Sequence, residues 1–489
     1  MAPSADSVSA AAMSSSQYDF TTFRNVISGN LVTASETRHA INPATKEPSW
    51  EVPIATAQDV DEAVAAARRA FPPWAETPIE QRQHALKSFA AALAKHTSEF
   101  AKLLVIEQGK PLNWASYEAQ LAPKKILELA DMSVPDETLE DNEDRHVVAR
   151  FPPLGVVVGI VAWNFPLILA VGKIIPAVLT GNTVIVKPSP STPYTALKLV
   201  EIAQSFFPPG VVQALGGDET LGPLLTAHAG VDKITFTGSS ATGKKIMESA
   251  SKTLKRVTLE LGGNDPAIVC KSVDIPSTAA KVAAMAFMNS GQVCVALKRI
   301  YIHDSIYPAF RDAMVAYTQT LKVGPGFEDG VAIGPVQNAM QYERVKGFLD
   351  DAAEHSQVVA LGGDIPASEG YFISPTIIEN PADDSRVVME EPFGPVLPIM
   401  RWCDEEDVVR RANDTRMGLG ASVWSRDLDE AARIALRIQA GSVWVNTHME
   451  VSSSLPFGGL KESGLGVENG IVGLKAFCNM QVLFLKKKI

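Results

Sequence analysis

Cys294 and Glu260 are the two residues of this chain whose types and surroundings are suited to covalent chemistry. Cys294 lies in NSGQVCVALKR, where Gly291 loosens the chain just ahead of it. A loop thiol near backbone amides can act as a thiolate nucleophile. The plainer reading of a free cysteine is a small core hydrophobe. No histidine stands near it in sequence, which lowers a papain-like Cys–His hydrolase. Glu260 ends the strand-like run in TLELGGNDP and is followed by Gly262 and Gly263. A carboxylate at a strand end, beside a glycine turn, can point into a cleft. Partial burial there raises its pKa and makes it a usable general base. The plainer reading is a charge capping a strand end.

A third chemical feature is the run Thr237-Gly-Ser-Ser-Ala-Thr-Gly-Lys-Lys245, which follows KITF and opens a helix. Gly238 and Gly243 let backbone approach a ligand, and a helix N-terminus favours a phosphate or pyrophosphate. A magnesium-nucleotide loop needs Ser or Thr after GK, and Lys245 stands there instead. The GxGxxG fingerprint is not matched either. The run therefore points to a dinucleotide, with a plain strand–turn–helix as the alternative.

The elements around these residues alternate. Strands are expected at 155–162, 182–187, 211–215, 233–237 and 256–261, and helices at 167–179, 193–206, 218–227 and 241–253. Such alternation predicts a parallel sheet with helices on both faces, binding nucleotides at the carboxyl ends of its strands. Residues 154–181 carry one charge over a length that could cross a bilayer. Asn164, Lys173, Pro166 and Pro176 argue for a buried strand–loop–helix instead. Helices are also expected over 57–70 and 79–109, a solvated acidic linker over 131–144, and strands at 146–151 and 480–489. A second alternating region runs from about 275 to 450.

The chain has 489 residues, enough for about two to four domains. Its net charge of −11 disfavours nucleic acid and anionic membranes. The four cysteines form no CxxC pair, so no metal cluster is expected, and the chain reads as cytoplasmic. Residues 1–17 are rich in Ala and Ser and lack the apolar core of a secretory signal, so a disordered tail is expected.

Seven motifs in order carry a family resemblance: AWNFP (162–166), IVKPSPSTP (185–193), FTGS (236–239), LELGG (259–263), GQVC (291–294), EEPFGPV (390–396) and PFGGLKESGLG (456–466). Together they resemble the NAD(P)-dependent aldehyde dehydrogenase superfamily, from about residue 27 to the C-terminus. The resemblance implies Cys294 as the nucleophile, Asn164 with the Cys294 N–H as the oxyanion hole, and Glu260 as the base that activates water. It implies a thiohemiacetal and then a thioester on Cys294. Glu468 and Lys173 match positions that move protons, against the plainer reading of solvated charges.

For the cofactor, the resemblance places Lys187 at the adenine ribose and Gly238 and Ser239 at the pyrophosphate. Ser189, Gly243, Leu261 and Gly262 fall in the same cofactor motifs. Glu391 is implied at the nicotinamide ribose, with Phe393 and Trp163 beside it. Many members carry an acidic residue three positions after the lysine; here it is Pro190, which removes a ribose anchor and a repulsion toward a 2′-phosphate. NAD is expected, with NADP possible.

The tunnel positions implied by the resemblance are Phe165, Ile168, Leu169 and Gly172 on one segment. Met288, Val293 and Val295 flank the cysteine, and Val451 and Phe457 come from the C-terminal part. All are apolar or glycine, and Gly172 leaves space where others carry a bulky ring. A medium-sized apolar aldehyde, aliphatic or aryl, is expected. A coenzyme A-acylating member is disfavoured because Glu260 is present, and an inactive homologue because Cys294, Glu260 and Asn164 all remain.

The implied fold class is α/β: a Rossmann-like nucleotide-binding domain, an α/β catalytic domain and a small β oligomerisation element. The boundaries expected are 18–129 with 149–262, then 263–462, and 130–148 with 463–489. The terminal strand would pair across a subunit boundary in a homodimer or homotetramer.

Overall fold

The computed structural model describes residues 18–488, so the tail expected over 1–17 lies outside the described residues. Two large sheets organise the chain. The first runs in the order Asn30–Val32, Asn25–Ile27, Val212–Ala214, Thr183–Lys187, Val156–Ile160, Lys233–Thr237, Arg256–Glu260 and Gly464–Leu465. Its five central strands are mutually parallel, and short antiparallel strands close both edges. Every residue of Val156–Ile160, Thr183–Lys187 and Lys233–Thr237 is buried, as continuous apolar runs in a doubly covered parallel sheet require.

The second sheet is ordered Val358–Leu361, Thr376–Glu379, Val396–Trp402, Leu297–His303, Asp265–Val269, Gly420–Trp424 and Ser442–Val445. All its neighbours are parallel except the first pair. Glu260 and Asp265 therefore belong to different sheets, and the glycine turn between them links the two halves.

The expected strand–loop–helix is present as Val156–Ile160, a loop through Trp163 and Asn164, and a helix Pro166–Leu179. Pro166 starts that helix, where its missing N–H costs nothing. A second long helix, Leu112–Ala130, packs against it, and this helix had no counterpart in the sequence reading. No helix among the described residues is long and apolar enough to cross a membrane.

Three expectations are revised. The helix over 79–109 is broken at Ala94–His96 into Ile79–Leu93 and Thr97–Gln108. It ends at Gly109 with φ 88°, where a Cβ would stand 2.6 Å from Pro335 and 2.7 Å from Pro43. The acidic linker contains a strand, Glu137–Asp141, because pairing with Arg145–Arg150 overrides its weak intrinsic preference. The terminal strand Gln481–Lys486 uses one edge to pair antiparallel with Arg145–Arg150 of its own chain, so a pairing across a subunit boundary falls to its outer edge.

Candidate active site

The loop that presents Cys294 is held in a conformation most residues avoid. Asn289 and Ser290 adopt φ 50° and 60°, and Gly291 follows at φ 72°. Left-handed non-glycine residues cost of order 1–3 kcal/mol each and persist only where their surroundings enforce them. Here Ser290 Oγ donates to the Gly334 carbonyl at 2.8 Å, and Gln292 Nε2 donates to the Asn289 carbonyl at 2.9 Å. A Cβ at Gly291 would lie 2.2 Å from the Gly394 carbonyl oxygen, so only glycine fits.

Asn164 reaches this loop from the first sheet. Its Nδ2 donates to the Gln292 carbonyl at 3.1 Å, and its Oδ1 is buried without a partner. The Cys294 N–H has no acceptor among the described residues. Asn164 thus reaches the Cys294 loop from a separate element. The turn after Glu260 arrives from the other side: a Cβ at Gly263 would stand 2.4 Å from the Cys294 carbonyl oxygen.

Glu260 is 5% exposed, and neither carboxylate oxygen has a hydrogen-bond partner. Burial pushes its pKa well above the ordinary value. Glu468 pushes it further, while Lys173 and Lys125 oppose the shift. The Cys294 thiol is pushed up to about 12, chiefly by burial; Lys298 lowers it, and Glu260, Glu391 and Asp265 raise it. Thiol and carboxyl therefore lie within each other's electrostatic reach.

Lys173 and Glu468 form an ion pair, and the Thr235 hydroxyl also donates to Glu468 at 3.4 Å. Phe457 and Glu468 exchange two backbone hydrogen bonds, which places a tunnel candidate beside this pair. Phe165, Met288 and Phe457 pack with Val293, Val295 and Cys294 in one apolar cluster. Ile168 and Leu169 are half-buried on the next turn of the helix, and Val451 is 47% exposed outside that cluster.

The cofactor candidates line the carboxyl edge of the first sheet. Lys187 ends its strand buried, with a pKa pulled down to about 8 by burial and by Arg38. Ser189 accepts from the Ser191 N–H at 3.2 Å. Ser239 caps the helix Ser240–Ser251, accepting from the Thr242 N–H at 3.2 Å, and no acidic residue stands in the first turn. The Thr237 hydroxyl just ahead is buried without a partner. At Gly243 a Cβ would stand 2.7 Å from Leu261, so the helix packs closely on the end of the Glu260 strand there. Glu391 crosses from the second half to accept from the Gly263 N–H at 3.2 Å, and a Cβ at Gly262 would block it. Trp163 and Phe393 meet edge to face at 5.2 Å.

Several supporting residues were missed by the sequence reading. Lys110 pairs with Glu118 inside the fold and donates to the Asn164 carbonyl at 3.0 Å. Glu118 accepts from the N–H groups of Leu167 and Ile168, which fixes the helix start next to Asn164. Lys298 donates to the Cys294 carbonyl at 2.6 Å and pairs with Glu391 at 2.8 Å. Of these, Lys298 alone had a readable cue, a cation one turn beyond a candidate thiol.

Comparison with known proteins agrees with this geometry. The family model described as "Aldehyde dehydrogenase family" matches residues 31–483. An aldehyde dehydrogenase from a Fusarium species is 41% identical over 96% of this chain and 100% of its own length. A phenylacetaldehyde dehydrogenase from Pseudomonas fluorescens is 37% identical over 94% of this chain and 95% of its own. The NAD+ complex of an aldehyde dehydrogenase from Bacillus cereus superposes with a TM-score of 0.93 at 33% identity, covering 95% of this chain and 97% of that one. The chain belongs to the aldehyde dehydrogenase family, enzymes that oxidise aldehydes with NAD(P).

Proposed function

We propose that this chain oxidises a medium-sized apolar aldehyde, aliphatic or aryl, to its acid through covalent catalysis on Cys294, with NAD in preference to NADP. The observation that carries this reading is the convergence of Asn164 and the Glu260 glycine turn on the Cys294 loop. The free donors on the Ser239 helix end, the unpartnered Thr237 hydroxyl and buried Lys187 fit a dinucleotide. Lys187 and Ser239 would hold its adenosine and pyrophosphate, and Glu391 its second ribose.

The Cys294 thiol gives up its proton to solvent as its sulfur adds to the aldehyde carbon, and the developing oxyanion is met by the Asn164 amide and the Cys294 N–H. Such donors contribute about 3–4 kcal/mol each in comparable sites. A nicotinamide held by Lys187, Ser239 and Glu391 would supply the hydride acceptor by which the thiohemiacetal on Cys294 becomes a thioester. Glu260 then takes a proton from water as its oxygen attacks the thioester carbon. The C–S bond breaks, the acid leaves, and the thiolate is regenerated. The Lys173–Glu468 pair offers the proton on Glu260 a route outward. The apolar cluster around Cys294 supports an apolar substrate, and the phenylacetaldehyde relative supports an aryl one. A cytoplasmic location completes the reading.

Growth of absorbance at the reduced-nicotinamide band, with an aldehyde chain-length and aryl series, tests it. Cys294→Ala is expected to abolish turnover while cofactor still binds in a fluorescence titration. Retained turnover, or a strong preference for the short succinic semialdehyde over every longer aldehyde, overturns the reading.

A further inference from the structure

We propose that Lys125 is a specificity-determining residue of the aldehyde tunnel, its amine recognising a hydrogen-bond-accepting oxygen on the far part of an otherwise apolar substrate. This deepens the proposed function and rests on its placement of Gly172 in the tunnel wall.

Phe165, Ile168, Leu169 and Gly172 follow i, i+3, i+4 and i+7 spacing, so they share one face at the start of the helix Pro166–Leu179. A glycine on that face should leave a gap. The gap is filled from the neighbouring helix Leu112–Ala130. A Cβ at Gly172 would stand 3.3 Å from Lys125 Nζ and 3.8 Å from its Cε. The wall therefore presents an amine at the place of an apolar side chain.

That amine is unlike the chain's other inward-facing lysines. Lys110 pairs with Glu118, Lys173 with Glu468, Lys198 with Glu201 and Lys298 with Glu391, and Lys233 donates to the Thr258 hydroxyl. Half-buried Lys125 makes no hydrogen bond or ion pair among the described residues. An amine taken partly out of water without a partner is costly, and a ligand oxygen would supply the missing acceptor. Lys125 faces Glu468, Lys173 and Glu260, and Glu128 on its own helix. Glu468 is already engaged by Lys173, which leaves Lys125 for the substrate. Burial holds its pKa below that of an ordinary lysine, yet an amine donates in either charge state. A cationic tail would instead meet Lys125 and Lys173 together.

The test compares kcat/KM for four aldehydes of similar reach: hexanal and its ω-carboxylate, methyl-ketone and ω-trimethylammonium analogues. The wild-type enzyme is expected to rank the carboxylate and the ketone above the trimethylammonium compound. Lys125→Met is expected to lower the carboxylate-to-hexanal ratio about tenfold, and Lys125→Arg to retain it. A fall for the carboxylate alone identifies an anion site, and a fall for both oxygen-bearing compounds identifies a neutral acceptor site. An unchanged ratio in Lys125→Met overturns the proposal. So does an equal loss for all four substrates with a displaced acid limb of the pH profile, which would assign Lys125 to Glu260. Should Lys125→Met not fold, the wild-type ranking and Lys125→Arg still decide. Failure of every aldehyde to react would instead sink the proposed function.

Discussion

At Cys294 the surroundings favour the neutral thiol, and at Glu260 the neutral acid. Burial is the main cause at both, and each carboxylate near the thiol adds to it. A base works only when deprotonated, so a raised Glu260 pKa moves the onset of water activation upward in pH. The acid limb of kcat is expected above the ordinary glutamate range near about 4.3. Lys173 opposes the Glu260 shift, so Lys173→Met should carry that limb higher still. An acid limb unmoved in that variant, measured in steady state from pH about 5 to 9, would detach Lys173 from Glu260. Glu260→Gln should form the thioester and then stall. Stopped-flow should show a burst of reduced cofactor near one per subunit, with later turnover lowered about 10²- to 10⁴-fold. Cys294, Glu260 and Asn164 were legible because their chemistry is local and each sits beside glycines or a turn. Lys125, Lys110 and Glu118 were not, because their roles come from helices that meet only in the fold.

The helix Leu112–Ala130 shows how one element governs the site from behind. Lys110, just ahead of it, and Glu118 within it form a pair that is fully buried, and both reach the Asn164 turn. Removing one partner of such a pair leaves an uncompensated charge, which costs about 3–5 kcal/mol. Lys110→Met is therefore expected to lower the melting temperature in calorimetry and to reduce kcat more than cofactor affinity. A variant as stable as wild type would show that Glu118 finds another partner. On the cofactor side, Pro190 follows Lys187 at the strand end, where Arg38, Glu219 and Asp218 all act on the lysine. Pro190→Glu should add a ribose acceptor and repel a 2′-phosphate. The NAD-to-NADP ratio of kcat/KM should rise about tenfold or more, and an unchanged ratio would place the adenosine elsewhere. The alternating strands over 155–261 were readable because buried parallel strands leave unbroken apolar runs. The hairpin Asn25–Val32 and the strand Glu137–Asp141 were not, since edge pairing, not side-chain pattern, makes them strands.

Across the whole molecule, one apolar surface stands on a sheet too small to bury it. The strands Glu137–Asp141, Arg145–Arg150 and Gln481–Lys486 form a three-stranded sheet, with Gln481–Lys486 on its edge. Lys475–Glu137 and Lys487–Asp141 ion pairs tie the sheet together within the chain. Phe484 is nevertheless 68% exposed, beside exposed Val482 and Leu485, with Leu139 exposed on the opposite outer strand. An open strand edge carrying apolar side chains invites pairing with another chain unless something covers it. A second copy of this chain is the occupant the family resemblance implies, as a homodimer or homotetramer. The same-chain pairing of Gln481–Lys486 leaves that expectation its outer edge alone. Phe484→Asp would place a charge in the middle of that exposed apolar surface. Sedimentation of the wild type should give a dimer or tetramer, and the variant should shift toward smaller species as it is diluted. Because Phe484 packs on no part of the site around Cys294, the dissociated variant should still bind cofactor. A wild-type chain that sediments as a monomer would leave this edge open by design and refute the assembly.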